Sequence, residues 1–505
     1  MEKRVLNPEK KYWRIFLACL LTAFCILMFC TKSSFLYPLQ DWEDDNIIGT
    51  VGRGMMNGKV PFRDLYDFKG PAAYFIFGAC SLISGRSFIG LFVLEVICFT
   101  VFLFYSYKTI SLYEEKNAVF CIPVLGMLVA SAMSITHGGS LEELSLPFLA
   151  YGLYSILYYW KDVYPDRMKP SVLILNGFFA GCMFWAKYTM LGMYFAWIAV
   201  LFFAQIIREK VRNAFCSVGW FLLGMLLATV PWIIYYAANG ALDKLLQYYF
   251  VYNIFGYGGG ASRSVTEVLI HIGTCVLATF YRNIQYSVLI AVGVLFFTFF
   301  DRKKGMSTVA KISLWLMCVL LCCGIYIGDT GYRYYGVVLA VFTALGFVPI
   351  LRGFNKITAG KTGKAVSGIA FAAVFLLSVG MSILLTDNRY FLGFKKESVP
   401  QLVFADKMQQ KKTKESVSLF CYDMMDAGFY LASGSEPGLR CFTKLNNEPE
   451  EVREEQLKYL ESGRAEFLVT RKEDEYAGYK EIASASYPYE EGISTYYLYQ
   501  RESAD

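Results

Sequence analysis

Asp41-Trp42-Glu43-Asp44-Asp45-Asn46 places four carboxylates directly after the first long apolar segment, roughly residues 13–36. Charge so close to a membrane-spanning helix costs energy unless it is solvated or paired. Ile47, Ile48, Val51 and Met55 follow at helical spacing. Gly58, Pro61, Lys69 and Pro71 come next. An acidic cluster, a helix lying on the membrane surface and a Lys-Gly-Pro turn together read as an active site at a membrane face.

Working outward, the chain has 505 residues, 56% of them apolar and 18% charged, which describes a polytopic membrane protein. Aromatic residues make up 17%, a richness suited to interfacial belts and aromatic-lined grooves. The net charge of +6 does not point to nucleic acid, because the basic residues lie mainly in short loops between apolar segments. Cys19, Cys25, Cys98, Cys322 and Cys323 sit inside such segments and read as small hydrophobes. No C-x-x-C pair has zinc spacing, and Cys421 and Cys441, outside the membrane region, are candidates to pair. The first apolar segment has no small-residue cleavage site and reads as a retained span.

About eleven spans are expected, near 13–36, 88–107, 117–136, 143–160, 171–186, 188–207, 214–237, 284–300, 312–328, 335–351 and 365–386. Residues 71–84 and Val265–Thr279 read as re-entrant or interfacial helices. Lys and Arg gather at the N-terminus and after even-numbered spans: Lys3, Arg4, Lys10, Lys11 and Arg14; Lys108 and Lys116; Lys161, Arg167 and Lys169; Arg208, Lys210 and Arg212; Arg302, Lys303, Lys304 and Lys311; Arg352, Lys356, Lys361 and Lys364. That side is expected to be cytoplasmic. The loops 37–87, 137–143, 239–283 and 329–334 then face outward. From about Asn388 the apolar runs shorten to strand length. Ser416–Tyr422, Glu466–Thr470 and Thr495–Tyr499 read as strands, and Glu450–Glu461 as a helix with Leu457 and Leu460 on one face. The expected fold is a polytopic α-helical membrane protein, residues 1–387, with a small C-terminal extracytoplasmic α/β domain, residues 388–505.

Each chemical motif has a plain structural alternative. Asp44 and Asp45 before Ile47 suit a helix N-terminus, which explains one carboxylate rather than four. A carboxylate there can also take a proton from an acceptor hydroxyl. Lys69 is either an interfacial lysine reaching headgroups or a cation for a departing phosphate. Pro71 and Gly70 would fix the turn that aims it. In His137-Gly138-Gly139-Ser140-Leu141-Glu142-Glu143, Ser140 and Glu143 have the spacing of a capping box. A Glu pair entering an apolar helix is costly, which also marks it as a functional candidate. Lys187 interrupts apolar sequence and marks an outer hairpin, with a phosphate contact as the second reading. Tyr252 to Arg263, rich in Gly, reads as a plain outer loop or a gate. Asp329-Thr330-Gly331-Tyr332-Arg333-Tyr334-Tyr335 is either an aromatic belt or a phosphate grip built on Arg333. With two His and no His-Glu-x-x-His, a zinc hydrolase is not indicated.

The run Asp44-Asp45-Asn46, then Gly58-Lys59-Val60-Pro61-Phe62-Arg63-Asp64, then Asp67-Phe68-Lys69-Gly70-Pro71 resembles the first outer loop of C-type (GT-C) membrane glycosyltransferases. The group it is most similar to holds the protein O-mannosyltransferases and the lipid A aminoarabinose transferase. Their pattern is Asp-Glu, a surface helix, Gly-x-x-Pro-Tyr-x-Asp, then Lys-Pro-Pro. Asp44 falls on the family's Asp and Asp45 on its Glu. Phe62 replaces the Tyr, and Gly70 the first Pro. The shorter Asp45 leaves open how Asp44 and Asp45 divide the work. The resemblance implies catalytic roles at Asp44 and Asp45, and donor phosphate on Lys69. It also implies an acidic acceptor-side residue at Glu142 or Glu143. Arg333 and Lys187 are the further phosphate candidates.

The function implied is sugar transfer from a polyprenyl-phosphate donor to a lipid, glycan or protein hydroxyl at the outer face of a plasma membrane. Inversion and an Asp base are expected. No cofactor is required by this reading; the carboxylates are of a type that takes a divalent cation, without a defined ligand set. A transporter or flippase of a lipid-linked sugar is the first rival, although transporters place polar groups near the midplane, often at inverted repeats. A polysaccharide polymerase or ligase is the second. A non-catalytic scaffold leaves the acidic cluster unexplained.

Overall fold

A computed structural model describes residues 8–208, 211–256, 263–301, 306–328, 330–357, 364–446, 450–489 and 492–502. Among them, seven helical stretches are long and apolar enough to cross a membrane: Lys11–Cys30, Ile89–Tyr113, Pro170–Ile207, Val211–Ala238, Thr308–Tyr326, Arg333–Ile357 and Gly368–Leu385. The protein is a multi-pass membrane protein, and each expected span falls on a helix. Ala118–Ala130 is a shorter apolar helix, and Leu146–Tyr158 covers most of the expected 143–160.

Pro170–Ile207 runs for 38 residues, about twice what a bilayer needs. Its first half places Gly177 against the Phe221 carbonyl and Trp185 on the Thr229 hydroxyl. Its second half stacks Trp197 on Phe221 and Phe202 on Phe215. The halves therefore run in opposite directions along the Val211–Ala238 helix, and the turn lies at Lys187, whose backbone is extended. Val265–Arg282 is a helix of its own, bent 113° from the following 284–300 stretch. The break is at Asn283, whose Oδ1 accepts from the Ser134 amide (3.0 Å) and hydroxyl (2.7 Å).

By contact density the chain forms two compact units. One comprises Met1–Thr31, Val93–Pro231 and Arg263–Tyr390. The other comprises Lys32–Phe92, Trp232–Ser262 and Phe391–Asp505. In the second unit the C-terminal residues fold together with residues of the Lys32–Phe92 segment. Thr50 Oγ1 donates to Asp426 at 2.8 Å, Lys59 Nζ to the Pro437 carbonyl at 2.8 Å, and the Tyr66 amide to the Arg440 carbonyl at 2.8 Å.

The C-terminal sheet has four strands, β1 (Leu419–Cys421), β2 (Phe467–Thr470), β3 (Tyr479–Tyr489) and β4 (Gly492–Arg501), in the order β1-β2-β4-β3. β1 and β2 are parallel; β4 is antiparallel to both its neighbours. β3 is absent from the sequence reading. It has no apolar run and contains Pro488, which an edge strand tolerates. Glu450–Glu461 is a helix with the expected bounds, but it buries Val452 and Gln456, while Leu457 is exposed. Leu457 lies one residue beyond the i, i+4 row that Val452 and Gln456 define. Cys421 and Cys441 are both buried free thiols and do not pair.

Candidate functional site

The acidic loop belongs to the second unit. The Glu43–Met56 helix starts earlier than an Asp44 or Asp45 cap requires. Trp42 is its N-cap, with no side-chain capping bond, and Glu43, Asp44 and Asp45 form the first turn. Carboxylates there face the positive end of the helix.

The four carboxylates have different surroundings. Asp41, 1% exposed, takes both oxygens to Lys32 Nζ, at 2.8 and 3.0 Å. Glu43 is held by Arg471 Nη2 at 2.6 Å. Asp45 is fully buried and accepts from Gln40 Nε2 at 3.2 Å. Asp44 has the most open side chain of the four, 27% exposed, and its Oδ1 lies 3.1 Å from Lys69 Nζ.

Two glycines bring Asp44 and Lys69 together. A Cβ on Gly52 would lie 2.5 Å from the Tyr74 carbonyl, and one on Gly78 would lie 2.5 Å from the Gly52 carbonyl. Only residues without a side chain let the Glu43–Met56 and Pro71–Ser81 helices approach this closely. Gly58 ends the first helix with φ +87°, the left-handed position that glycine adopts without penalty. The Pro61–Asp64 turn then reverses the chain. Phe62 is fully buried at φ 70°, stacked on Tyr236 with ring centroids 5.8 Å apart. Such a backbone is costly for a bulky residue and persists where packing over-determines it. Gly70 and Pro71 occupy the N-cap and first-turn positions of the next helix, so Lys69 projects from a fixed turn. Asn253 Nδ2 bonds the Phe68 carbonyl at 2.7 Å and braces the same turn.

Asp67 is a member of this cluster that sequence reasoning left without a role. It is 1% exposed and accepts from the Tyr74 hydroxyl at 3.0 Å. Burial pushes its carboxyl above the ordinary carboxylate range, against the lowering effect of Lys69, and the Asp44 charge adds to the rise. Its position two residues before Lys69 in the quoted motif was the available signal.

In the first unit, Ser140 Oγ caps the Leu141–Leu144 turn, accepting from the Glu143 amide at 3.1 Å. Glu143 Oε2 accepts from the Gly139 amide at 3.1 Å rather than closing the box on Ser140. Glu142 is buried and paired with Lys187. The same ammonium sits 3.8 Å from the centre of the Tyr335 ring and 5.2 Å from that of Tyr334, close enough for cation–π attraction. Arg333, partly exposed, opens the Arg333–Phe342 helical segment. Glu95, fully buried within the Ile89–Tyr113 helix, was missed; a Cβ on Gly138 would lie 2.6 Å from its Oε1. A carboxylate inside an apolar span was the signal. Asp329 and Gly258 to Gly260 lie outside the described residues. Among the described residues, no group of three or more His, Cys, Asp or Glu side chains is arranged to hold a metal ion.

Comparison with known proteins connects this geometry to a fold. ArnT from Cupriavidus metallidurans bound to undecaprenyl phosphate superimposes with a TM-score of 0.61 at 10% identity, covering 97% of this chain and 98% of that one. The chain shares the fold of ArnT. Apo ArnT from the same organism gives a TM-score of 0.58 at 11% identity, covering 92% of this chain and 93% of that one. The model of the dolichyl-phosphate-mannose-protein mannosyltransferase family matches residues 68–235, a stretch that begins one residue before Lys69. No match was found among curated proteins.

Proposed function

We propose that the protein transfers a sugar from a polyprenyl-phosphate donor to a hydroxyl acceptor at the outer face of the membrane, with Asp44 as general base and inversion at the sugar. The observation that carries this reading is the Asp44–Lys69 pair, 3.1 Å apart, in which the most open carboxylate of the acidic loop meets a fixed ammonium. The fold shared with ArnT supports it, and so does the undecaprenyl phosphate bound by ArnT at 10% identity.

The chemistry follows from those two groups. The donor's phosphate competes with Asp44 for Lys69, which releases the carboxylate. Asp44 takes the acceptor's proton as the acceptor oxygen bonds to the anomeric carbon. The carbon–oxygen bond to phosphate breaks, and the electron pair leaves with the polyprenyl phosphate. Charge builds on that leaving oxygen, so a fixed cation stabilises the transition state more than the ground state. Burial raises the Asp67 carboxyl above the ordinary carboxylate range, against the lowering effect of Lys69. For the first unit taken by itself, Lys187 and Arg333 are proposed as phosphate-binding cations and Glu142 or Glu143 as the acceptor-side acid. The cytoplasmic N-terminus and outer C-terminal region are part of the same proposal.

The test uses the full chain in nanodiscs with radiolabelled polyprenyl-phosphate sugars and membrane extract as the acceptor source. Label leaving the lipid and appearing in an acceptor is the expected result, and the productive donor names the sugar. Donor that binds and stays intact across the panel, with extract present, contradicts transfer and favours transport.

A further inference from the structure

We propose that Arg471 is a positioning residue for Asp44, the centre of a clamp through which the β3–β4 hairpin fixes the first turn of the Glu43–Met56 helix. This rests on the reading of Asp44 as the base. Arg471 Nη2 lies 2.6 Å from Glu43 Oε1, the carboxylate immediately before Asp44. The same nitrogen donates to the Tyr496 hydroxyl at 3.1 Å, and the guanidinium carbon lies 5.4 Å from the centre of that ring. Tyr496 is 1% exposed and cannot give way.

The sheet register places a second tyrosine beside the clamp. Ala485 faces Tyr496 and Tyr487 faces Ser494 across β3 and β4, so Tyr487 and Tyr496 lie on one face as diagonal neighbours. Burial raises the Tyr487 hydroxyl and the nearby Asp41 charge adds to the rise; Lys32 Nζ holds that carboxylate at 2.8 Å. Glu43 is thus held by Arg471, which is itself braced on Tyr496 of the hairpin, while Asp41 lies beside Tyr487 on the same face. Asp44 is left as the carboxylate of that turn aimed at Lys69. A rigid anchor on the residue beside a base is what near-attack geometry needs; an error of about 1 Å costs on the order of 100-fold in rate. An Arg held between a carboxylate and a buried hydroxyl supplies direction as well as charge.

The experiment compares wild type with Arg471→Met, Arg471→Lys and Glu43→Gln, full-length in nanodiscs. Without any substrate, hydrogen exchange of the Asn46–Gly49 amides should speed up at least about 10-fold in Arg471→Met, while the Pro71–Ser81 helix keeps its wild-type rate. On the productive polyprenyl-phosphate donor, kcat should fall by about 10- to 100-fold with donor KM unchanged. Arg471→Lys should recover part of the loss, and Arg471→Met with Glu43→Gln should be no worse than either alone. If Arg471→Met does not fold, Tyr496→Phe carries the same test. Wild-type exchange at Asn46–Gly49 in Arg471→Met overturns the clamp, as does wild-type kcat. An active Asp44→Asn enzyme overturns instead the reading on which the clamp rests.

Discussion

Lys69 Nζ lies 3.1 Å from Asp44 Oδ1 although 25 residues separate them in the chain. The helix that begins at Glu43 and the one that begins at Pro71 make this possible by crossing at Gly52 and Gly78, backbone on backbone. An acid and a base held this way neutralise each other at rest, and an incoming phosphate separates them. The pair is therefore both the resting lock and the working parts of the proposed reaction.

Removing the ammonium should act on the transition state. Lys69→Met is expected to lower kcat/KM by about 100-fold or more, and Lys69→Arg to keep part of the activity with altered donor KM. Steady-state kinetics with labelled donor checks this. Unchanged kcat/KM in Lys69→Met would remove Lys69 from the reaction.

The glycine crossing is a second handle on the same pair. Gly78→Ala places a methyl group 2.5 Å from the Gly52 carbonyl, so the two helices must part. Overpacking of this kind costs about 1–3 kcal/mol. The expected result is a lower Tm together with a loss of turnover larger than that of Gly273→Ala, where a Cβ meets nothing within 4 Å.

Stability should fall as pH rises across the acidic range, because of buried carboxyls in the second unit. Asp426 is fully buried, and burial raises it above the ordinary carboxylate range despite the Thr50 hydrogen bond. Between about pH 4, the ordinary value, and its raised value, the folded protein binds more protons than the unfolded chain. The contribution of Asp426 is thus full below that window and is lost as pH rises through it. Asp67, raised in the same direction, adds to the slope. Asp426→Asn holds that site neutral, and the decline in Tm from pH 4 to 7 should shrink; a decline as steep as that of wild type would refute the assignment.

In the first unit, Lys187 neutralises a Glu142 that is 2% exposed. Breaking a buried pair leaves an uncompensated charge and costs about 3–5 kcal/mol. Lys187→Met should lower Tm sharply, and adding Glu142→Gln should restore most of it. A double variant as unstable as the single one would show that packing on Tyr335, rather than charge, is the role of Lys187.

How much of this was readable in the chain differs by region. The apolar runs were long, and every expected span became a helix, because in lipid a backbone must satisfy itself. The Asp44-to-Pro71 motif marked Asp44 and Lys69 as separate candidates, and the 3.1 Å contact between them was not read from it. The buried Asp67 and Glu95 were not recognised, because a carboxylate's burial depends on neighbours far away in sequence. β3 was missed for a different reason. Ala483-Ser484-Ala485-Ser486-Tyr487 does alternate, but with small alanines that give a weak strand signal, and Tyr487 is its one large apolar member. The interplay of Tyr487, Tyr496 and Arg471 with the acidic loop crosses more than 400 residues and leaves no local trace.

The most direct test of the central claim is the turnover of Asp44→Asn in nanodiscs, measured beside its Tm and its affinity for the donor lipid. The account predicts wild-type Tm, donor binding at least as tight because Lys69 is released from its partner, and transfer reduced by at least about 1,000-fold. Transfer at the wild-type rate in a folded, donor-binding Asp44→Asn protein would contradict it.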